Sequence, residues 1–277
     1  MIKSIKRSVL LFGAALLAVA LVAPAAHAAT PLPGYTQFKG CPTMAEKPKS
    51  IVCVRTEVTS GNLKMGNKNV PIEKPIVLIG GTDGNLQNFV YNSDGGLRPA
   101  KQKVPGGVIG LTGLTWLLEF FGIEALTLYA TTELAGTPDV NIFEEPVELP
   151  IKAHLETPSG VLGKNCYIGS NTNPIKLNLI TGTTSPPAPN KPITGKAPSF
   201  EFNETNMISY LKGGQFVDNS FAAPGANGCT LTLFGFIPIS LNSIVNSQSG
   251  VPSPAGTNET RQNFNVEMTD SEIVYGP

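Results

Sequence analysis

Between Val147 and Glu156 the chain alternates without a break. Val147, Leu149, Ile151, Ala153 and Leu155 fall in one phase, and Glu148, Pro150, Lys152, His154 and Glu156 in the other. Successive side chains of a strand point to opposite faces, so this two-residue period buries one face and wets the other; a helix would scatter the same apolar residues around its circumference. The segment reads as a half-exposed strand, and Pro150, with no N–H to give to a ladder, places it at a sheet edge. The same period recurs at Ile175–Leu179, 200–202, Thr230–Leu233 and 264–268. Residues 76–79 form a continuous apolar run between Pro75 and Gly80-Gly81, the pattern of a strand covered on both faces. Asp83-Gly84, Asp94-Gly95-Gly96, Gly213-Gly214 and Asn227-Gly228 supply the chemistry of tight reversals between such runs.

These signals predict a mainly β fold of antiparallel, sandwich-like sheets with one short helix near 111–122. There Leu114, Leu117, Leu118 and Phe121 recur at helical spacing between Gly110 and Gly122. With Trp116 and Phe120 the segment is apolar nearly all round, so it is expected to plug the core; the alternative is contact with a membrane through 108–128. Two β-rich modules, 29–136 and 137–277, are expected to divide near Gly136-Thr137-Pro138, with one continuous domain as the alternative. Residues 185–192, rich in proline, read as an extended surface connection.

Residues 1–28 have the form of a signal peptide. Lys3, Lys6 and Arg7 precede an apolar run over 9–22, and Ala26-His27-Ala28 fits the small-x-small rule, which puts cleavage between Ala28 and Ala29. The run is shorter than the ~20 residues that span a bilayer, so no transmembrane anchor is expected after processing. The mature chain is expected to be secreted, extracellular or associated with the cell envelope. Four cysteines in an oxidising compartment normally end as bridges. Of the three possible pairings, Cys41 with Cys53 and Cys166 with Cys229 is the simplest, since it joins neighbours along the chain. A metal site of four thiolates would need Cys-x-x-Cys couplets, and none is present.

Lys and Arg total 20, as do Asp and Glu, which leaves no basic excess for nucleic acid. A hydrophobic share of 41% is too high for a disordered chain. Once His27 leaves with the signal, His154 is the last histidine, so a Ser-His-Asp or Cys-His enzyme would depend on it. No Gly-x-Ser-x-Gly elbow accompanies it, and its place beside Lys152 and Glu156 on a polar strand face marks it as a surface residue. Glu144, Glu145, Glu148 and Glu156 cluster in sequence, yet Glu148 and Glu156 stand roughly 26 Å apart along one strand, too far for a glycosidase pair. Asp218 is a further candidate partner.

Asp83-Gly84-Asn85 and Asn92-Ser93-Asp94-Gly95-Gly96 lack the acidic spacing of a calcium loop and read as turns. Asn203-Glu204-Thr205 and Asn258-Glu259-Thr260 fit the glycosylation acceptor pattern. No catalytic, cofactor-binding or metal-ligating residue is assigned, and no cofactor is expected.

Several stretches resemble a group of uncharacterised secreted proteins of actinobacteria: Cys166-Tyr167-Ile168-Gly169-Ser170, Thr181-Gly182-Thr183-Thr184-Ser185-Pro186-Pro187, Asn190-Lys191-Pro192-Ile193, Asp218-Asn219-Ser220-Phe221-Ala222 and Gly228-Cys229. Val104-Pro105-Gly106-Gly107 and Pro71-Ile72 are similar as well. The resemblance implies export and the pairing of Cys166 with Cys229. It implies no activity, and a bacterial origin would leave both acceptor asparagines unglycosylated. The expectation is therefore a non-enzymatic binding or structural component outside the cell, its partner a cell-envelope component or an apolar ligand. A membrane-contacting protein and a carboxylate-dependent hydrolase are the alternatives.

Overall fold

The computed structural model describes residues 29–92, 96–115, 117–141, 145–233 and 236–276. The signal segment with Ala28, the 93–95 part of one candidate loop, Trp116 and Glu144 lie outside the described residues. The strands in chain order are β1 (Val52–Met65), β2 (Lys68–Ile72), β3 (Ile76–Thr82), β4 (Leu97–Arg98), β5 (Gln102–Lys103), β6 (Tyr129–Leu134), β7 (Val147–Glu156), β8 (Tyr167–Ile168), β9 (Ile175–Leu179), β10 (Ser199–Asn203), β11 (Ile208–Asp218), β12 (Ala226–Asn227), β13 (Thr230–Leu233), β14 (Ile237–Ser240) and β15 (Glu259–Asp270). Four α-helices, α1 (Gly107–Thr112), α2 (Leu117–Ala125), α3 (Asn242–Ser249) and α4 (Ser271–Tyr275), and a 3-10 turn at Thr36–Phe38 accompany them among the described residues.

The fold is mainly β and antiparallel, with two large sheets facing each other. One has the order β10-β11-β15-β1-β3-β4, with β2 folded back onto β1; the other runs β12-β8-β7-β6-β5, with β9 beside β7. Strands β13 and β14 form a separate hairpin. Both large sheets draw strands from each side of residue 136. β1 pairs with β15 from Val52↔Asp270 to Lys64↔Glu259, and β6 pairs with β7 from Tyr129↔Glu156 to Leu134↔Ile151. The boundary expected near Gly136 therefore does not separate one sheet from the other.

Alternation along β7 and β9 lies as the sequence implied. Ile151, Ala153 and Leu155 are buried, as are Ile175, Leu177 and Leu179, while the intervening residues are more exposed. Residues from the two sheets, among them Met65 and Val70 on one side and Ile151 and Leu177 on the other, meet in one apolar cluster. Full burial of a side chain such as Leu177 contributes ~1.5–3 kcal/mol.

Three local expectations need correction. β7 lies inside its sheet, not at an edge, because it is flanked by β6 on one side and by β8 and β9 on the other. Pro150 is tolerated there because its backbone faces Ala135, one residue beyond the end of β6, and its carbonyl accepts the Ala135 N–H at 2.9 Å. The missing donor thus falls just past the ladder.

Gly213-Gly214 is not a reversal. It sits within β11 at a register shift between Leu211 and Gly214 against β15, a β-bulge. The helix expected over 111–122 is instead two short ones, because Gly113 adopts the left-handed conformation (φ 69°) and closes α1 with its N–H on the Ile109 carbonyl. Leu111 and Leu117 plug the core as expected, whereas Leu118, Phe121 and Ile123 of α2 face solvent.

Both disulfides of the neighbour pairing are present, Cys41–Cys53 and Cys166–Cys229. The first ties the N-terminal segment to the outer face of β1, in a small cluster with Phe38, Ile79, Ile208 and Val274. Tyr275 of α4 closes this region by donating its hydroxyl hydrogen bond to the Cys41 carbonyl at 2.6 Å, and burial pushes its phenol up to about 12. The second bridge lies in the main core and anchors the start of the β13–β14 hairpin. The Leu241 N–H donates to the Cys229 carbonyl, and the Cys229 N–H donates to Asn242 Oδ1, so the hairpin base is fastened from both sides.

Candidate functional site

The facing sheets do not close along their whole length. Where the β1, β2 and β3 side meets β6, β7 and β9, a cavity of about 110 Å³ remains. Its walls are apolar apart from Thr56, Gln102, Thr132 and Gln262, and no charged residue among the described ones lines it. Gln102 spends its polar atoms on backbone, accepting the Glu73 and Lys74 N–H groups and donating to the Lys74 and Ala100 carbonyls.

Val58, Leu63, Ile76, Leu78, Leu97, Val147 and Leu149 all line this chamber, yet each is only half-buried. That combination, inward-facing aliphatic side chains left partly uncovered, marks a gap between layers. For scale, an enclosed apolar cavity of about 150 Å³ holds a benzene-sized ligand.

A second, larger space of about 520 Å³ adjoins the chamber and shares Thr56, Val140, Val147 and Phe216 with it. This vestibule reaches solvent at the exposed residues Glu145, Gly182 and Ala197. Its floor holds Phe216 and Phe264, stacked with ring centroids 3.8 Å apart and planes 10° from parallel. The bulge on β11 creates this stack. Gly214 lies opposite Phe264 in the β11–β15 register, and a Cβ there would collide with the Phe264 ring, so only glycine leaves the ring its place. Chamber and vestibule together fall within the ~300–1,000 Å³ typical of small-molecule sites.

The carboxylates singled out from the sequence are partly brought together. Glu145, Glu148 and Asp218 line one surface pocket of about 290 Å³, while Glu156 is elsewhere and Glu144 lies outside the described residues. Asp218 is fully buried, and its carboxylate is already engaged. Oδ2 accepts the Asn178 N–H at 2.8 Å, and Oδ1 accepts the Ser220 N–H and hydroxyl at 2.8 and 2.7 Å. It fastens β9 to the end of β11. Glu145 Oε1 accepts the Thr181 N–H at 2.6 Å and also the Thr181 hydroxyl.

His154 sits on the outer face of β7, stacked on Tyr167 at 4.6 Å, with Nε2 3.0 Å from the Lys164 carbonyl and Nδ1 3.4 Å from Glu133. Lys152 lies over the same tyrosine ring. Burial pushes the Tyr167 phenol up, and Glu133 adds to this. Burial alone would raise Glu156, but hydrogen bonds from Lys101 and Thr131 hold its carboxyl below the usual range. The residues of this surface cluster are occupied with one another.

Asp83 organises a turn. It accepts from Gln87 and Asn88, bonds that lower its pKa. Asn258, one of the two acceptor-pattern asparagines, is fully buried; its Nδ2 donates to the Phe221 and Pro254 carbonyls and its Oδ1 accepts from Gly66 and Ser253. Asn203 instead shapes a turn by accepting the Thr205 N–H. Among the described residues no group of three or more His, Cys, Asp and Glu side chains is placed to hold a metal ion.

The sequence reading missed Thr56, Phe216, Phe264 and the chamber as a whole. The signal available was Gly213-Gly214, which inside a strand indicates close approach by a neighbour. The chain matches no protein-family model, no curated protein and no solved structure, so the chamber and vestibule are characterised by their own chemistry alone.

Proposed function

We infer that this chain is a non-enzymatic, exported binding protein whose ligand is an apolar small molecule held between the two sheets. The observation that carries this reading is the uncharged chamber, whose inward-facing aliphatic side chains are left half-covered beside an aromatic-floored vestibule. The two disulfides are compatible with an extracellular setting. No helix among the described residues is long and apolar enough to cross a membrane. Against hydrolysis stands the engagement of Asp218, whose oxygens brace the fold.

Titration of the mature chain with a neutral apolar fluorophore such as 1-N-phenylnaphthylamine tests this. Saturable enhancement at one site per chain, with a dissociation constant on the order of 1–10 μM, is expected; a linear, non-saturating response counts against the reading.

A second reading, contact with a lipid surface, is favoured by the exposed hairpin residues Ile237 and Ile239, by Phe236 (74% exposed) and by Ile123 of α2 (79%). Flotation with neutral liposomes tests it, since a protein that stays in the dense fraction makes no such contact.

A further inference from the structure

The chamber accounts for the apolar part of a ligand, and the vestibule mouth constrains the other end. This step rests on the reading of the chamber given above and adds the chemistry of the head group. Among the described residues no Lys, Arg or His lines the chamber or the vestibule, and Glu145 is the one ionisable side chain lining them.

Glu145 Oε1 is held by Thr181, and no donor among the described residues reaches Oε2. The carboxylate is exposed at the mouth, its position fixed by the Thr181 backbone and hydroxyl. An acidic head seated there would face a like charge with no cation among the described lining residues, and like charges at contact distance repel even at the protein surface. A hydroxyl or ammonium head would instead find an open acceptor, the ammonium with charge assistance. Below the mouth the Phe216–Phe264 stack offers a flat apolar surface leading to the chamber through the shared residues Thr56 and Val147.

We propose that the site selects single-chain amphiphiles whose head donates hydrogen bonds to Glu145, an alcohol or an amine, and rejects fatty carboxylates. The tail lies over the stacked phenylalanines and ends in the chamber. Glu145 then determines specificity while the apolar walls supply most of the affinity.

Displacement of bound 1-N-phenylnaphthylamine by decanol, decylammonium and decanoate at pH 7 tests the proposal. Decanol and decylammonium should displace the fluorophore at concentrations at least about tenfold below decanoate. In Glu145→Gln, ranked against that variant's own affinity for the fluorophore, decylammonium should lose its advantage over decanoate. Equal displacement by all three, or a ranking unchanged in Glu145→Gln, overturns the head-group assignment and leaves the chamber reading standing. If the fluorophore does not bind the wild-type chain, the chamber reading fails, and the head-group assignment falls with it.

Discussion

Two ends of the same sheet interior differ in how they are covered. Around the Cys166–Cys229 bridge, a third layer seals the inner face of the six-stranded sheet. Val108 and Leu111 of α1, Val245 of α3, Leu162 and Leu241 pack into the cluster with Leu155, Ile168 and Ile175. Along Val147 and Leu149, facing Val58, Ile76 and Leu78, no described residue fills the space between the layers, and the aliphatic side chains remain half-covered. Residue type and periodicity are alike at both ends. The contrast shows that alternation decides which way a side chain points, while a separate set of elements decides whether it is buried there.

Breaking the sealed end should cost most. Replacing Cys166 and Cys229 by alanine opens a loop with a sequence separation of 63, which in the chain-entropy account costs about 4 kcal/mol, against about 3 kcal/mol for Cys41 and Cys53 with a separation of 12. Guanidinium unfolding of the two double variants measures both, and equal losses would mean that loop length is not what distinguishes them.

Single side chains should then separate the ends. Leu162→Ala, at a fully buried position, is expected to lose about 3 kcal/mol, and Leu78→Ala on the chamber wall about 1 kcal/mol, because Leu78 already borders empty space. Similar losses at both would imply that the chamber closes in solution.

Gly214→Val sharpens the contrast further. It should displace Phe264 and cost about 1–3 kcal/mol. Its larger effect should fall on ligand affinity through the broken stack, and unfolding and fluorophore titration of the same variant read the two separately.

How much of this was legible in the sequence follows from the same contrast. The strands β7 and β9 were readable because each buries one phase and wets the other, and the neighbour pairing of the four cysteines was readable from their positions along the chain. The interior position of β7 was not readable, since Pro150 signals an edge and only the length of β6 shows that its missing N–H falls beyond the ladder. α3 was hidden because Asn242–Ser249 is dominated by Asn and Ser, weak helix formers; the core contact of Val245 holds it in place. Exposure of α2 was hidden too, because Leu118 and Phe121 carry the same helical spacing as the buried Leu117.

The candidate site was the least legible part. Thr56, Leu78, Val147 and Phe216 come from four strands spread over about 160 residues of sequence, and only the packing of one sheet over the other brings them to a common wall. The acidic cluster that did stand out, Glu145, Glu148 and Asp218, shares a pocket but is partly committed to holding backbone. Gly213-Gly214 was visible as an anomaly, yet the ring it accommodates lies some fifty residues further along the chain.

If the gap between the sheets holds a ligand, the vestibule leads into it past Thr56, which lines both spaces. Filling that passage with Thr56→Phe should leave unfolding stability within about 1–2 kcal/mol of the wild type, because the added ring occupies existing space. Titrated with 1-N-phenylnaphthylamine beside the wild type, the variant should bind at least about tenfold more weakly. Undiminished binding by a folded Thr56→Phe chain would contradict the claim and place the apolar site elsewhere on the molecule.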